Sequence, residues 1–159
     1  AKTDINQVIG ETVSFLEGEA NKNGITIVRE FQADLPETLT DSSQLQQVLL
    51  NLVNNAIDAI GKDGRITIST APVASGGVVI SISDTGPGLS DEVRQRIFAP
   101  FFTTKNGKGT GLGLSISFNI IQRLGGDIKA DNNEQGGSVF QVFLPDASGG
   151  KRTRPQEKR

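Results

Sequence analysis

The chain contains no cysteine and no histidine. Without cysteine, disulfides and thiolate metal sites are excluded, and nothing argues for an oxidising compartment. Without histidine there is no His-ligated metal, no imidazole general base and no phosphohistidine on this chain. No run of about eighteen apolar residues occurs, so no stretch reads as a membrane-spanning helix. No signal-peptide pattern opens the sequence. The chain starts at Ala1 without Met and reads as structured by Asp4, the pattern expected of a fragment of something longer.

What is present fits one globular domain. The length of 159 residues suits a single core, and the charged share of 21% is ordinary. The net charge of −2 hides an asymmetry: residues 148–159 hold five of the sixteen bases and one acid, leaving −6 on the rest. An acidic body is a poor nucleic-acid surface. The basic tail reads as a disordered terminus or linker rather than a nucleic-acid or membrane contact. Nineteen glycines are many for this length, and since each costs backbone entropy, a cluster of them needs a reason.

Periodicity predicts the elements. Apolar residues at helical spacing mark a helix over 4–22, and 25–31 reads as a strand. Asp41 followed by Gln44 resembles a capping box, and a long helix runs from 42 to Ile60, stopped by Gly61. Strands are expected at 65–71 and 78–84, a short helix at 90–98, a helix at 114–124, and strands at 127–130 and 138–144. Between them, residues 99–113 have no period and read as a mobile loop. Single strands between helices, together with adjacent strand pairs, suggest a mixed sheet covered on one face by helices, an α/β two-layer sandwich.

The helix 42–60 carries an unusual polar stripe. Gln47, Asn51 and Asn55 are each four residues apart and stack on one face, with Asn54 and Asp58 beside them. An ordinary solvent face is the plain reading. Solvent faces, however, favour Lys, Glu and Arg, and asparagine is a mediocre helix former. Such local violations concentrate at functional sites. Neutral amide oxygens at Asn51 and Asn55 suit magnesium, which takes few protein oxygens and fills its octahedron with phosphate and water.

Two further segments are rich in glycine. Asp84-Thr85-Gly86-Pro87-Gly88 follows a strand. Alone it reads as a tight turn; chemically, the Asp84 carboxylate could accept from an exocyclic amine such as that of adenine, with the glycines letting a flat base approach. In the second, Phe98, Phe101 and Phe102 form a corner of packing character, followed by Thr104, Lys105 and Lys108 and then Gly109-Thr110-Gly111-Leu112-Gly113 at the mouth of a helix. Backbone N–H groups there can hold phosphate, with two lysines nearby. No Gly-Lys-Ser/Thr of a Walker loop and no G-x-G-x-x-G occurs.

Together these residues resemble the catalytic domains of sensor histidine kinases, in the superfamily of DNA gyrase B, the 90-kDa heat-shock chaperones and MutL. Asn51-Leu52-Val53-Asn54-Asn55-Ala56 resembles the N box, Asp84 to Gly88 the G1 box, Phe98 to Phe102 the F box, and Gly109 to Leu114 the G2 box. Four boxes in order are highly specific, and the resemblance covers about residues 4 to 145. Asn55-Ala56-Ile57-Asp58-Ala59 and Pro100-Phe101-Phe102-Thr103-Thr104-Lys105 resemble the nitrogen-regulation-like branch. Ala99 stands where the family often has Glu.

The resemblance implies the Bergerat fold over residues 1–147, with 148–159 as the tail, and ATP between the N-box helix and a lid of about residues 89–112. Asn51 and Asn55 would meet Mg²⁺ and phosphates, Asp84 would read adenine with Gly88 beside the base, and Gly109, Gly111 and Gly113 would wrap the phosphates. The implied catalytic set is Asn51, Asn55 and Lys105. The nucleotide contacts add Asp58, Gly86, Thr104, Lys108, Thr110 and Leu112. The implied partners are a histidine-bearing dimerisation domain of the same protein, making a homodimer, and a response regulator, in the cytoplasm. ATPases and serine kinases of this fold carry Glu where this chain has Asn51. An amide cannot accept a proton at neutral pH, so Asn51 argues for transfer to a histidine supplied elsewhere and against efficient hydrolysis. A nucleotide-binding pseudokinase is a third class, disfavoured by four intact boxes.

Overall fold

The computed structural model describes residues 2–99 and 113–146. The basic tail and the segment 100–112, including Phe101, Phe102, Thr104, Lys105, Lys108, Gly109, Thr110, Gly111 and Leu112, lie outside the described residues.

Helix α1 (Ile5–Lys22) begins where Asp4 accepts the N–H of Gln7 at 3.2 Å. This N-cap satisfies one of the donors a helix start leaves open. Its inward stripe of Ile5, Val8, Ile9, Val13, Leu16 and Ala20 is buried. Helix α2 (Ser42–Ile60) starts the same way, with Asp41 accepting Gln44 N–H at 3.0 Å, and stops at Gly61, whose φ is 77°. Leu45, Val48, Leu49, Leu52, Val53 and Ala56 form its buried face. Those residues recur at three and four positions, which places them on one side of a 3.6-residue helix.

A five-stranded sheet supports both helices. Its order is β2 (Ile25–Glu30), β4 (Gly64–Pro72), β5 (Val78–Asp84), β7 (Ser138–Leu144), β6 (Asp127–Asn132). The β2 and β4 pair is parallel and the rest are antiparallel, so the sheet is mixed, as expected. Helix α1 packs on β2, α2 on β4 and β5, and α4 (Gly113–Arg123) on β6, with α2 touching α1 and α4. Strands β5 and β7 alternate buried and half-buried residues along their whole length. That period of two is what one covered face produces. The expected two-layer α/β sandwich is therefore the observed one.

Some expectations shift at the ends. The helix expected at 90–98 is α3 (Asp91–Arg96), capped by the Ser90 hydroxyl accepting Val93 N–H at 3.2 Å. Strand β6 runs two residues beyond its expected end, through polar Asp131 and Asn132, because pairing with Val139 and Ser138 continues after the apolar signal stops. A small antiparallel ribbon, β1 (Lys2–Thr3) with β3 (Thr38–Leu39), has no counterpart among the elements that periodicity predicts. Two residues per strand are too few to show a period.

Candidate nucleotide site

Strand phase puts Asp84 inward. It follows Val78, Ile80 and Ile82 on the covered face, and its relative exposure is only 2%. A buried carboxylate needs donors, and three are present. Gly86 N–H reaches Oδ1 at 2.9 Å, Ser138 N–H reaches Oδ1 at 3.2 Å, and the Ser138 hydroxyl reaches Oδ2 at 2.7 Å. A carboxylate has roughly four acceptor positions, so Oδ2 keeps capacity for one more donor.

Asn133 braces the same corner from the β6–β7 turn. Its Nδ2 donates to Ser83 Oγ at 2.8 Å, Asp84 O at 2.8 Å and Ser138 O at 3.2 Å. Its Oδ1 accepts from Gln135 N–H at 3.1 Å and Gly137 N–H at 2.9 Å. Gly137 has to be glycine, since a Cβ there would overlap the Asp84 carbonyl oxygen. Gly86 tucks against α2, where a Cβ would lie 3.3 Å from Ala59 O. The turn after β5 thus sits beside the C-terminal half of α2, the half that carries Asn51, Asn55 and Asp58.

Asn51 is half-buried and reaches across to α4. Its Nδ2 donates to Ser117 Oγ at 3.1 Å and to Gly113 O at 3.4 Å. Ser117 is fully buried, so its hydroxyl is a fixed acceptor. With Nδ2 committed to α4, Oδ1 of Asn51 accepts no hydrogen bond among the described residues. Asn55, one turn on, is half-buried, while Asp58 is exposed at the next turn. No group of three or more acidic, His or Cys side chains converges for a metal among the described residues. One or two amide oxygens fit a magnesium that is held mainly by phosphates and water.

Of the sequence-predicted site residues within the described segments, the fold brings Asn51, midway along α2, to Gly113 directly, and sets Gly86, bonded to Asp84, against Ala59 at the C-terminal end of α2. Gly88 lies at the far side of the Asp84 turn, against the β6–β7 turn. Of the expected lid, residues 89–99 are described and contain α3. Phe98, read as part of a packing corner, stacks on Phe118 at 5.3 Å and meets Phe140 edge-on at 6.2 Å. Sequence reasoning missed Ser138, Asn133 and Ser117. A signal existed for Ser138: it is in phase with Phe140, Val142 and Leu144, so a hydroxyl was bound to face the covered side. An open cleft of about 810 Å³ lies at the other end of α2, lined by Thr3, Asp4, Leu39 and Asp41 among others, and holds none of the predicted residues.

The fold is an α/β sandwich in which an asparagine-bearing helix packs on the strand that ends in a buried aspartate. Residues 40–148, about two thirds of the chain, match the model of the histidine kinase-, DNA gyrase B- and HSP90-like ATPase family. The chain belongs to that family. It is 41% identical to sensor histidine kinase ZraS of Escherichia coli (strain K12) over 142 residues, covering 89% of this chain and 30% of ZraS. The chain therefore spans about a third of the length of that relative. Among solved structures, the catalytic domain of histidine kinase ThkA is 37% identical, with a TM-score of 0.83 over 92% of this chain and 95% of that one. A structure of ThkA in complex with the response regulator protein TrrA is also similar, at 32% identity and a TM-score of 0.81 over 95% of this chain and 43% of that one. Full-length ShkA, solved in complex with AMPPNP, is 31% identical with a TM-score of 0.83, covering 92% of this chain and 31% of ShkA.

Proposed function

We propose that this domain binds Mg-ATP and transfers the γ-phosphoryl group to a histidine on a separate dimerisation domain of its parent protein. The observation that carries this reading is Asn51. It occupies the helix position facing the phosphate side with an amide, which is no base, and its Nδ2 is tied to α4 so that Oδ1 is left as a ligand atom. Asp84 accepts the exocyclic amine of adenine on Oδ2, and Gly86 and Gly88 give the base room. Asn51 and Asn55 hold Mg²⁺, which when bound neutralises phosphate charge. The phosphate contacts are assigned to Lys105, Lys108 and the glycines 109, 111 and 113, with Thr104, Thr110 and Leu112, and a further nucleotide contact to Asp58. Catalysis is then mostly positioning and charge stabilisation. The nucleophile comes from the partner domain.

The likeness to ThkA in complex with TrrA supports a response regulator as the downstream partner; a homodimeric parent with its kinase domain in the cytoplasm is what the resemblance to sensor histidine kinases implies, and it is part of this proposal. No described helix is long and apolar enough to cross a membrane. The test is phosphotransfer in trans: this chain, Mg-ATP and the histidine-bearing domain of its parent. Acid-labile phosphate on that histidine is expected. It should form slowly, because tethering normally supplies a high effective concentration. No transfer at any ratio of the two domains overturns the reading.

A further inference from the structure

The β6–β7 turn holds more than Asp84. Asn132, the last residue of β6, faces Leu89, forty-three positions earlier, and takes both of its backbone groups. Its Oδ1 accepts Leu89 N–H at 2.6 Å and its Nδ2 donates to Leu89 O at 2.9 Å. A two-bond fork fixes the rotation of a peptide as well as its position. Gly88 is pressed into the same contact: its φ is 82°, and a Cβ there would lie 2.5 Å from Gly136 O and 3.0 Å from Asn132 Oδ1. One residue away, Arg94 of α3 bonds Asp131 at 2.6 Å and Asp91 at 2.8 Å. One turn of chain therefore carries the carboxylate on one side, through Asn133 and Ser138, and the backbone wall at Gly88 and Leu89 on the other, through Asn132.

We propose that Asn132 is a positioning residue that sets base selectivity, by fixing the wall at Gly88 and Leu89 relative to the Asp84 carboxylate. The proposal rests on the reading of Asp84 as the acceptor for an exocyclic amine. Discrimination between an amine and a carbonyl at one ring position depends on geometry. The carbonyl is rejected only if the base cannot slide away from the carboxylate to relieve the repulsion. A wall pinned at both backbone groups of Leu89 forbids that slide, and a wall free to rotate permits it. Asn132 is exposed, and its side chain bonds Leu89 and neither Asp84 nor its donors; only its backbone pairs with Ser138, and Asn132→Ala keeps that backbone, so the substitution loosens the wall and leaves the reader intact.

The experiment is calorimetry of Mg-ATP and Mg-GTP on the full chain, for wild type, Asn132→Ala, Arg94→Ala and Asp84→Asn, with amide exchange followed at Leu89. In Asn132→Ala, Leu89 exchange should accelerate and the preference for ATP over GTP should fall about fivefold, the equivalent of one ordinary hydrogen bond. Arg94→Ala frees α3 from β6 without touching Leu89 and should leave the preference unchanged. An unaltered preference in Asn132→Ala, with Leu89 exchange accelerated and Asp84→Asn abolishing the preference, overturns the proposal and leaves the Asp84 reading standing. An equal loss in Arg94→Ala also overturns it, by showing that general loosening of the corner is enough. A wild type with no preference, or a preference that survives Asp84→Asn, overturns the Asp84 reading itself.

Discussion

Ser138 grips the Asp84 carboxylate twice, through its backbone N–H to Oδ1 at 3.2 Å and its hydroxyl to Oδ2 at 2.7 Å. The two residues stand opposite one another because β5 and β7 run antiparallel, with Ser83 paired to Val139. Ser138→Ala removes the protein donor from Oδ2 of a buried charge. The expected cost is about 1–3 kcal/mol of folding stability, with Ser138→Thr restoring most of it. Urea denaturation of the three proteins checks this, and an unchanged midpoint in the alanine variant contradicts it.

Asp84→Asn keeps the shape and removes the charge. Affinity for adenine nucleotides should fall by roughly 1.5–3 kcal/mol, the worth of a hydrogen bond to a charged group. Equal ATP affinity in wild type and variant, by calorimetry, rules out Asp84 as the base reader.

The geometry at Asn51 predicts an effect from a residue that touches no ligand. Ser117→Ala deletes the nearer acceptor of Asn51 Nδ2, leaving Gly113 O at 3.4 Å. The amide should then turn more freely, and the Mg²⁺ concentration for half-maximal ATP binding should rise about fivefold, one hydrogen bond's equivalent. A titration of Mg²⁺ at fixed ATP decides, with nucleotide binding in EDTA as the control that should not move.

The Asp131 carboxyl is held below its ordinary value of 3.8, first by the N–H of Asn132 and then by the Arg94 guanidinium. A depressed carboxylate contributes stability above its unfolded value and loses it as pH falls through the folded one. The bridge between Arg94 and Asp131 should therefore persist below the pH at which an isolated aspartate protonates. The group is fully exposed, so the gain is local. Carbon-detected NMR titration should show Arg94→Ala recovering only part of the shift, because the backbone bond remains. Full recovery assigns the effect to Arg94 instead.

The layers of the fold were legible because they rest on local periodicity. The stripe of Leu45, Leu49, Leu52 and Val53 fixed α2, and the alternation of Val78, Ile80 and Ile82 fixed β5 and its buried face. Asn51 stood out as a candidate because asparagine breaks the propensity its helix otherwise keeps, whereas Asp84 alone read as part of a tight turn and became a candidate through the order of the four motifs. The bracing was not legible. Asn133 meets Asp84 across 49 positions, and Asn51 meets Ser117 across 66. Neither pair has a spacing that a helix or strand period could reveal. Asn132 ends β6 and Asn133 opens the turn that follows, where asparagine is ordinary, so composition gave no warning that both amides reach distant backbone. Only Ser138 left a trace, through its phase on β7.

A domain proposed to pass phosphate to an outside histidine should be a poor hydrolase, because the position that would need a carboxylate base holds Asn51. The most direct test is the steady-state ATPase rate of the chain alone with Mg-ATP. Turnover far below the ordinary enzyme range is expected, and a rate on the order of 1 s⁻¹ or faster would rule out the kinase reading and favour an ATPase of the same fold.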